Sequence, residues 1–322
     1  MSTLRAIVVG SGWGAHSARA LAADARVTLA ALVGRRSERT TALASELGVT
    51  VEASIDDAIA AHRPQLVVLA VSEHSHEALA IRALDADCHV LCAHPVAARA
   101  PDVLRIARAA LRAGKLARTD YTFRLRPELD ALRAHDGRGA LLRVAIDAPG
   151  RWLPIVLDTA VVIAGPVVRL TGNRSYPNRL AQRVAHVPQA FPPAALLEHR
   201  SGAVTSIVTF PHSWPAVPVH VRTSWEGGRV EALLPTGGAR RMALGRSGAV
   251  EERDLVSASC APGDPSSHGL SMQAVARAFV DEILGAGRRL ATLDEEAHLR
   301  AVWDGLWRAS REWIALEDPD IS

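Results

Sequence analysis

The sequence has little of what would place the chain in a membrane or on a nucleic acid. No uninterrupted apolar run approaches the length needed to span a bilayer, and the start of the chain has neither a charged leader nor a cleavable apolar segment. No basic run carries interleaved aromatic residues. We therefore expect a cytoplasmic protein that binds neither a membrane nor a nucleic acid.

Cysteine is also sparse. Cys88, Cys92 and Cys260 form an odd set of three, which does not make a disulfide framework and agrees with a reducing compartment. Cys88 and Cys92 flank a short apolar segment with a histidine, but no second pair of ligands lies nearby. We predict buried structural cysteines and no metal site.

The composition is that of an ordinary globular protein. The chain has 322 residues, of which 48% are hydrophobic and 22% charged. This length allows two domains of usual size. The net charge of +3 comes from arginines spread along the chain, which favours a solvated arginine-rich surface over an acidic partner or a phosphate-bearing ligand.

The most informative stretch is a glycine-rich turn near the start of the chain. An apolar run over Arg5–Val9 predicts a buried strand, and the segment Ala15–Ala23 predicts the helix that follows it. Between them, Gly10, Gly12 and Ala15 fit the dinucleotide-binding fingerprint, in which small residues allow a tight turn and close approach of a pyrophosphate. The residues that we expect to contact a cofactor here are Gly10, Ser11, Gly12, Trp13, Gly14 and Ala15.

The end of the second predicted strand, Val27–Val33, indicates which dinucleotide is bound. Many NAD-binding domains place an acidic residue there to hold the ribose hydroxyls. This chain has none and continues with Gly34, Arg35, Arg36 and Ser37, whose donors suit a 2′-phosphate. We predict NADPH as the cofactor; the alternative is that both arginines only face solvent.

Two later strands end in polar residues that we expect to lie beside the nicotinamide. In open parallel sheets, ligands bind at the carboxyl ends of the strands. The run Gln65–Val71 is one such strand, and Cys88–Cys92 is the next. The candidate cofactor contacts at their ends are Val71, Ser72, His74, His76, His94 and Pro95. A further predicted strand, Leu116–Phe123, carries Tyr121.

The pattern of elements changes near residue 120. Strands and helices alternate before it, which is typical of a doubly wound parallel sheet. Afterwards come β-rich runs separated by glycine and proline turns, then helices over Met272–Leu284 and Glu295–Trp313. We predict an α/β chain with a Rossmann domain over residues 1–120 and an α+β substrate domain, built on a largely antiparallel sheet, over residues 121–322.

This organisation resembles the glucose-fructose oxidoreductase, or inositol dehydrogenase-like, family. In most members the fifth strand ends in Glu-Lys-Pro, with the lysine near the substrate carbon that exchanges hydride. Here Ala93-His94-Pro95 takes that place, so the lysine is absent. The resemblance implies an NAD(P)-dependent oxidoreductase in which His94 does the work of the lysine.

The branch that looks most similar is the thiazolinyl imine reductases of siderophore assembly lines. Their motif is also His-Pro, with a tyrosine on the next strand, and His94 and Tyr121 match both positions as candidate proton donors. Cys92-Ala93 replaces the Gln-Glu of that branch. The resemblance implies NADPH-dependent reduction of a thiazoline tethered to a carrier protein of a nonribosomal peptide synthetase. The resemblance to the wider family, whose sheet often offers an open face for dimer formation, implies a homodimer.

Two other functions stay open. One is a sugar or cyclitol dehydrogenase of the same family, and the other is a non-catalytic NADP-binding sensor or scaffold, since the lysine and an obvious Asp-x-x-x-His motif are both missing. The second domain offers unranked candidates for the substrate side, namely Trp152, Asp158, His212, Trp214 and His220.

Overall fold

A computed structural model describes residues 3–134, 139–173, 194–210, 219–234, 238–244, 249–258, 266–287, 290–309 and 313–316. The chain divides into two units. The first comprises the chain up to Thr122 together with His268–Arg300 and the last three residues, and the second comprises Phe123–Ser267 and Ala301–Pro319.

The first unit is built on a seven-stranded sheet. Its strands are β1 (Leu4–Val9), β2 (Val27–Val33), β3 (Thr50–Glu52), β4 (Leu66–Leu69), β5 (His89–Cys92), β6 (Ala117–Thr119) and β15 (Ala291–Thr292). Their order is β15-β6-β5-β4-β1-β2-β3, and every pair is parallel except β15 with β6. This is the predicted doubly wound sheet, in which the order of the strands reverses between β1 and β4.

Helices flank this sheet because each carries an apolar face. They are α1 (Gly14–Ala22), α2 (Glu38–Leu47), α3 (Ile55–His62), α4 (Glu73–Asp85), α5 (Ala100–Ala113) and, later in the chain, α8 (Ser266–Ile283) and α9 (Leu293–Arg308). Serine caps start two of them: Ser37 accepts a hydrogen bond from Thr40 N–H, and Ser54 accepts one from Asp57 N–H. The central strand β4 is buried along its whole length.

The predicted strand over Leu116–Phe123 is shorter than expected. Only Ala117–Thr119 pairs as β6, and a 3-10 turn occupies Thr122–Leu125. Asp120 N–H still bonds the Cys92 carbonyl at 3.1 Å, so residues 120 and 121 lie at the carboxyl edge of the sheet rather than within a strand.

The expected division at residue 120 did not anticipate the return of the chain to the first unit. Residues 268–300 pack there, where β15 pairs with β6 and Arg118 forms an ion pair with Glu282 at 2.7 Å. The helix α9 contributes to both units, since the division falls between Arg300 and Ala301.

The second unit, which begins at Phe123, contains a nine-stranded sheet. Its strands are β7 (Leu141–Pro149), β8 (Val167–Asn173), β9 (Ala194–His199), β10 (Val204–Phe210), β11 (Val219–Trp225), β12 (Gly228–Leu234), β13 (Ala239–Leu244), β14 (Val250–Val256) and β16 (Ile314–Ala315). The order is β14-β13-β12-β11-β7-β10-β9-β8-β16, antiparallel except for β7 with β10. The predicted, largely antiparallel second sheet is confirmed. Two helices of this unit are α6 (Pro127–Arg133) and α7 (Leu153–Ala164).

The two described cysteines are buried, as predicted. Cys88 donates a hydrogen bond to the Pro64 carbonyl at 3.1 Å, and burial raises its pKa to about 11. Burial raises the pKa of Cys92 further. Cys260 lies outside the described residues. Among the helices that the structure describes, none is both long and apolar enough to cross a membrane.

Candidate active site

The glycine turn between β1 and α1 has the geometry of a phosphate-binding loop. Gly10 has φ +97°, and a side chain there would collide with the Ala70 carbonyl of the neighbouring strand end. Gly14 is buried at the start of α1, where a Cβ would lie 3.1 Å from the Ala70 Cβ. Close packing of helix on strand therefore depends on Gly14, and not on Ala15, which is only half-buried.

The outer part of this loop is open to solvent. Gly12 and Trp13 are exposed and Ser11 is half-buried. Because these three residues are accessible and precede the helix, its first backbone N–H groups and the positive end of its dipole are available to an anion. The loop therefore fits the pyrophosphate of a dinucleotide.

The adjoining strand end carries the predicted 2′-phosphate residues. Gly34 turns the chain with φ +153°, and Arg35, Arg36 and Ser37 are exposed. Arg36 Nη2 donates to the Val51 carbonyl at 3.2 Å. Both arginines thus follow the carboxyl end of β2 and are exposed there.

A hydroxyl cluster connects this strand end to the glycine loop. Buried Thr40 hydrogen-bonds Ser37 at 2.9 Å and Ser11 at 2.7 Å through its hydroxyl. Arg39, one residue earlier in α2, places Nη1 3.6 Å from where a Cβ of Gly12 would lie. Sequence reasoning missed Arg39, which lies in the first turn of α2, three residues after Arg36.

The residues after β4 divide into two groups. Half-buried Val71 packs against the loop, with Cγ1 3.1 Å from where a Cβ of Gly10 would lie. Ser72 and His74 are exposed; Ser72 donates to Glu73 at 3.3 Å, and His74 Nε2 lies 3.8 Å from the same carboxylate. These three residues lie at the predicted edge.

His76 lies elsewhere, and its predicted contact with the cofactor is wrong. Its side chain is 1% exposed, and Nδ1 donates to the Val96 carbonyl at 3.0 Å. Burial lowers the pKa of this imidazole, because charging it would cost desolvation. His76 therefore supports the segment after Pro95 from within the core.

The end of β5 places His94 against a carboxylate. His94 Nδ1 lies 2.7 Å from Asp120 Oδ1, and His94 N–H donates to the same oxygen at 2.8 Å. Trp13 Nε1 donates to the other oxygen of Asp120 at 3.3 Å. The Asp120 side chain is 3% exposed and that of His94 16%. Asp120 thus fixes the ring orientation, and Nε2 is the nitrogen through which the ring would exchange a proton with a ligand.

Tyr121 completes this group. Its ring stacks on the His94 imidazole at 5.0 Å between centroids and an interplanar angle of 29°. Tyr121 is buried and half-buried Pro95 follows His94, so the structure brings the predicted catalytic residues together. Asp120, which orders the group, was not predicted.

A buried carboxyl from α9 reaches the same group. Glu296 is 1% exposed, and its Oε1 accepts the Val96 N–H at 3.1 Å. Burial raises the pKa of Glu296, while the hydrogen bond from Val96 and the nearby Tyr121 side chain act against this rise. Glu296 was also not predicted, because 200 residues separate it from Val96.

The substrate-side candidates of the second unit have separate surroundings. Asp158 is buried and accepts hydrogen bonds from Arg124 at 2.6 to 3.0 Å, so its carboxylate is committed to an internal ion pair. Trp152 stacks on Phe123 at 5.5 Å, and His220 Nε2 lies 3.8 Å from a carboxylate oxygen of Glu231 on the neighbouring strand. The remaining candidates, His212 and Trp214, lie outside the described residues.

Comparison with known proteins identifies relatives of the chain. The sequence profile of the Gfo/Idh/MocA oxidoreductase family, with an NAD-binding Rossmann fold, matches residues 4–121. Inositol 2-dehydrogenase 1 of Saccharopolyspora erythraea is 30% identical over 274 residues, which cover 75% of this chain and 79% of that protein.

Solved structures show the same fold over nearly the whole chain. An oxidoreductase from Agrobacterium radiobacter, in complex with NAD+, L-tartaric acid and magnesium, has a TM-score of 0.79 at 17% identity and covers 98% of each chain. Levoglucosan dehydrogenase, in complex with NADH and levoglucosan, has a TM-score of 0.82 at 13% identity and covers 99% of this chain and 100% of its own. The chain is thus a member of the Gfo/Idh/MocA family of NAD(P)-dependent oxidoreductases.

Proposed function

We propose that this oxidoreductase oxidises a secondary hydroxyl of a sugar or cyclitol, with His94 as the acid–base residue. The observation that carries the proposal is the 2.7 Å pair between His94 Nδ1 and Asp120 at the carboxyl end of β5. The relative that is 30% identical to this chain is an inositol 2-dehydrogenase, which supports this substrate class.

The chemistry needs one proton acceptor. When bound, NAD(P)+ takes the hydride from the carbon that bears the hydroxyl. The hydroxyl proton must then leave, and His94 Nε2 accepts it while Asp120 stabilises the resulting imidazolium. An imidazole suits this task near neutral pH, so it can replace the lysine of most relatives.

For the cofactor we propose a preference for NADPH over NADH. Exposed Arg35 and Arg36 stand where the ribose 2′-phosphate would lie, and planar guanidinium groups suit phosphate geometry. Arg39, beside Gly12, adds a third cation near the same end of the glycine loop.

A second candidate is reduction of a cyclic imine, such as a thiazoline tethered to a carrier protein. It is favoured by the stacking of Tyr121 on His94, because these are the two proton donors that the resemblance to thiazolinyl imine reductases implies. Two earlier predictions remain untested: a carrier protein as the partner of this function, and a homodimer. The inositol dehydrogenase relative supports the polyol reading more strongly.

A substrate panel separates the two functions. Purified protein is mixed with myo-inositol and monosaccharides plus NAD+ or NADP+, and separately with a thiazoline-carboxyl thioester plus NADPH or NADH, while nicotinamide absorbance is followed. We expect turnover of a polyol. Turnover of the thioester alone would refute the polyol reading and make the carrier protein the next question.

A His94→Gln variant is the control for the chemical step. We expect it to lose turnover while cofactor binding, measured by fluorescence titration, stays close to wild type. Tight cofactor binding by the wild type without turnover on any substrate would favour the non-catalytic sensor or scaffold instead.

A further inference from the structure

Buried side chains bind both polar backbone groups of Val96. His76 from α4 donates to its carbonyl at 3.0 Å, and Glu296 from α9 accepts its N–H at 3.1 Å. Val96 is fully buried and follows His94 by two residues. Two helices distant in sequence therefore fix the segment that carries the imidazole.

Glu296 also lies near the ring that packs on His94. The Tyr121 side chain opposes the rise in the pKa of its carboxyl, and the Tyr121 ring stacks on His94. Glu296 thus binds the backbone beyond the imidazole and acts beside the ring that packs on it. Asp120 holds the imidazole from its Nδ1 side.

This carboxyl is costly for the fold. Burying an acid costs free energy that a well-packed apolar residue of similar volume would avoid. A burial that lowers stability is explained if the carboxyl has a role in the candidate active site around His94. The titratable and charged groups that act on it are His94, Tyr121, Arg300 and Cys92, while His76 and Asp120 face the same segment.

We propose that Glu296 is a positioning residue for His94. By holding Val96, two residues after His94, it keeps the imidazole in the place where it pairs with Asp120. The proposal rests on the proposed function, since that function assigns the proton transfer to His94.

The test compares Glu296→Gln with Glu296→Leu. Glutamine keeps an oxygen that can accept the Val96 N–H, whereas leucine removes it at similar volume. We expect Glu296→Leu to lower kcat on the order of 10²-fold, because small displacements of a catalytic group have effects of that size. Glu296→Gln should stay near wild type, and both should bind the cofactor normally.

A histidine NMR titration gives a readout that does not need a substrate. The His94 ring signals are assigned by their absence from His94→Gln. In Glu296→Leu we expect these signals and their titration midpoint to move, while in Glu296→Gln they stay in place. A purely structural role for Glu296 would lower stability without moving them.

The outcomes separate the two proposals. Wild-type kcat and wild-type His94 signals in Glu296→Leu would overturn the positioning role, as would an equal loss in Glu296→Gln. If Glu296→Leu does not fold, Glu296→Asp decides: its carboxyl is one methylene short, so unchanged kcat and signals would overturn the role. If the wild type turns over no substrate, the proposed function fails, and the NMR result alone decides on Glu296.

Discussion

Replacing Asp120 by asparagine should slow the reaction by removing the charge behind His94. The asparagine oxygen can still accept both His94 N–H groups, but its amide then faces the Trp13 N–H, which also donates. The main loss is the stabilisation of the imidazolium that forms as the substrate hydroxyl gives up its proton.

The size of the effect lies between two limits. Exchanging a charged for a neutral acceptor forfeits about 1 kcal/mol. The attraction between unit charges about 4 Å apart near a protein surface is roughly 4 kcal/mol. Since about 1.4 kcal/mol corresponds to a tenfold change in rate, kcat should fall by roughly fivefold to 10³-fold.

The assay is kcat for oxidation of the polyol identified in the substrate panel, measured across pH. In the proposed reaction neutral His94 accepts the proton, and a neighbouring carboxylate favours the charged form of an imidazole, so the ascending limb of the profile should move to lower pH in Asp120→Asn. The matched control is Asp102→Asn. It makes the same change at a carboxylate of α5 that is paired with Arg99 and Arg105. Its kcat should stay at the wild-type value.

The reasoning is refuted if Asp120→Asn, shown by circular dichroism to be folded, keeps both the wild-type kcat and the wild-type pH profile. The proton would then pass through Tyr121 or water.

Three further predictions follow from other contacts. Asp158→Asn should lower the free energy of unfolding, measured with urea, by about 3 to 5 kcal/mol, because it removes the charge that pairs with buried Arg124. The double variant with Arg124→Met and Asp158→Leu should lose much less stability. Equal losses would contradict the ion-pair argument. Changing Arg35 and Arg36 together to alanine should raise the Kd for NADPH by about tenfold or more while the Kd for NADH changes little; equal weakening of both cofactors would disprove the assignment. Burial lowers the pKa of His76, so below about pH 6.5 the unfolded chain binds more protons than the folded chain. The free energy of unfolding should therefore fall between pH 7 and pH 5, and it should fall by more in the wild type than in His76→Asn. An equal fall in both proteins would count against this account.

Local patterns were sufficient to predict most of the first sheet. The strand β2 begins and ends where the sequence indicates, since its apolar run is bounded by an arginine and a glycine. The glycine turn and the His94 strand end were predicted for the same reason. The packing role of Gly14 was not predicted, because the fingerprint spacing alone does not show which small residue meets the neighbouring strand.

His76 shows how a strand-end argument can fail. Proximity to the end of β4 suggested a cofactor contact, but His76, Ala80 and Ala83 follow one another at helical spacing and are all buried on α4. That spacing was visible in the sequence and predicts the core face.

Asp120 and Glu296 could not be assigned from local pattern. Asp120 meets His94 across 26 residues and Glu296 meets Val96 across 200, so both contacts depend on how distant segments come together. A strand-end acid beside a candidate tyrosine was the only local hint for Asp120.

The return of residues 268–300 to the first unit has a consequence for how the protein is made. The ribosome has already synthesised most of the second unit before it reaches Glu296 and β15. The nascent chain therefore holds His94 without its support from α9 through most of its synthesis. A fragment ending near residue 120, which looks like a whole cofactor domain in the sequence, would lack an edge strand and the carboxyl that binds Val96. If His94 transfers the proton as proposed, that step depends on a residue made 200 positions after the segment that it supports.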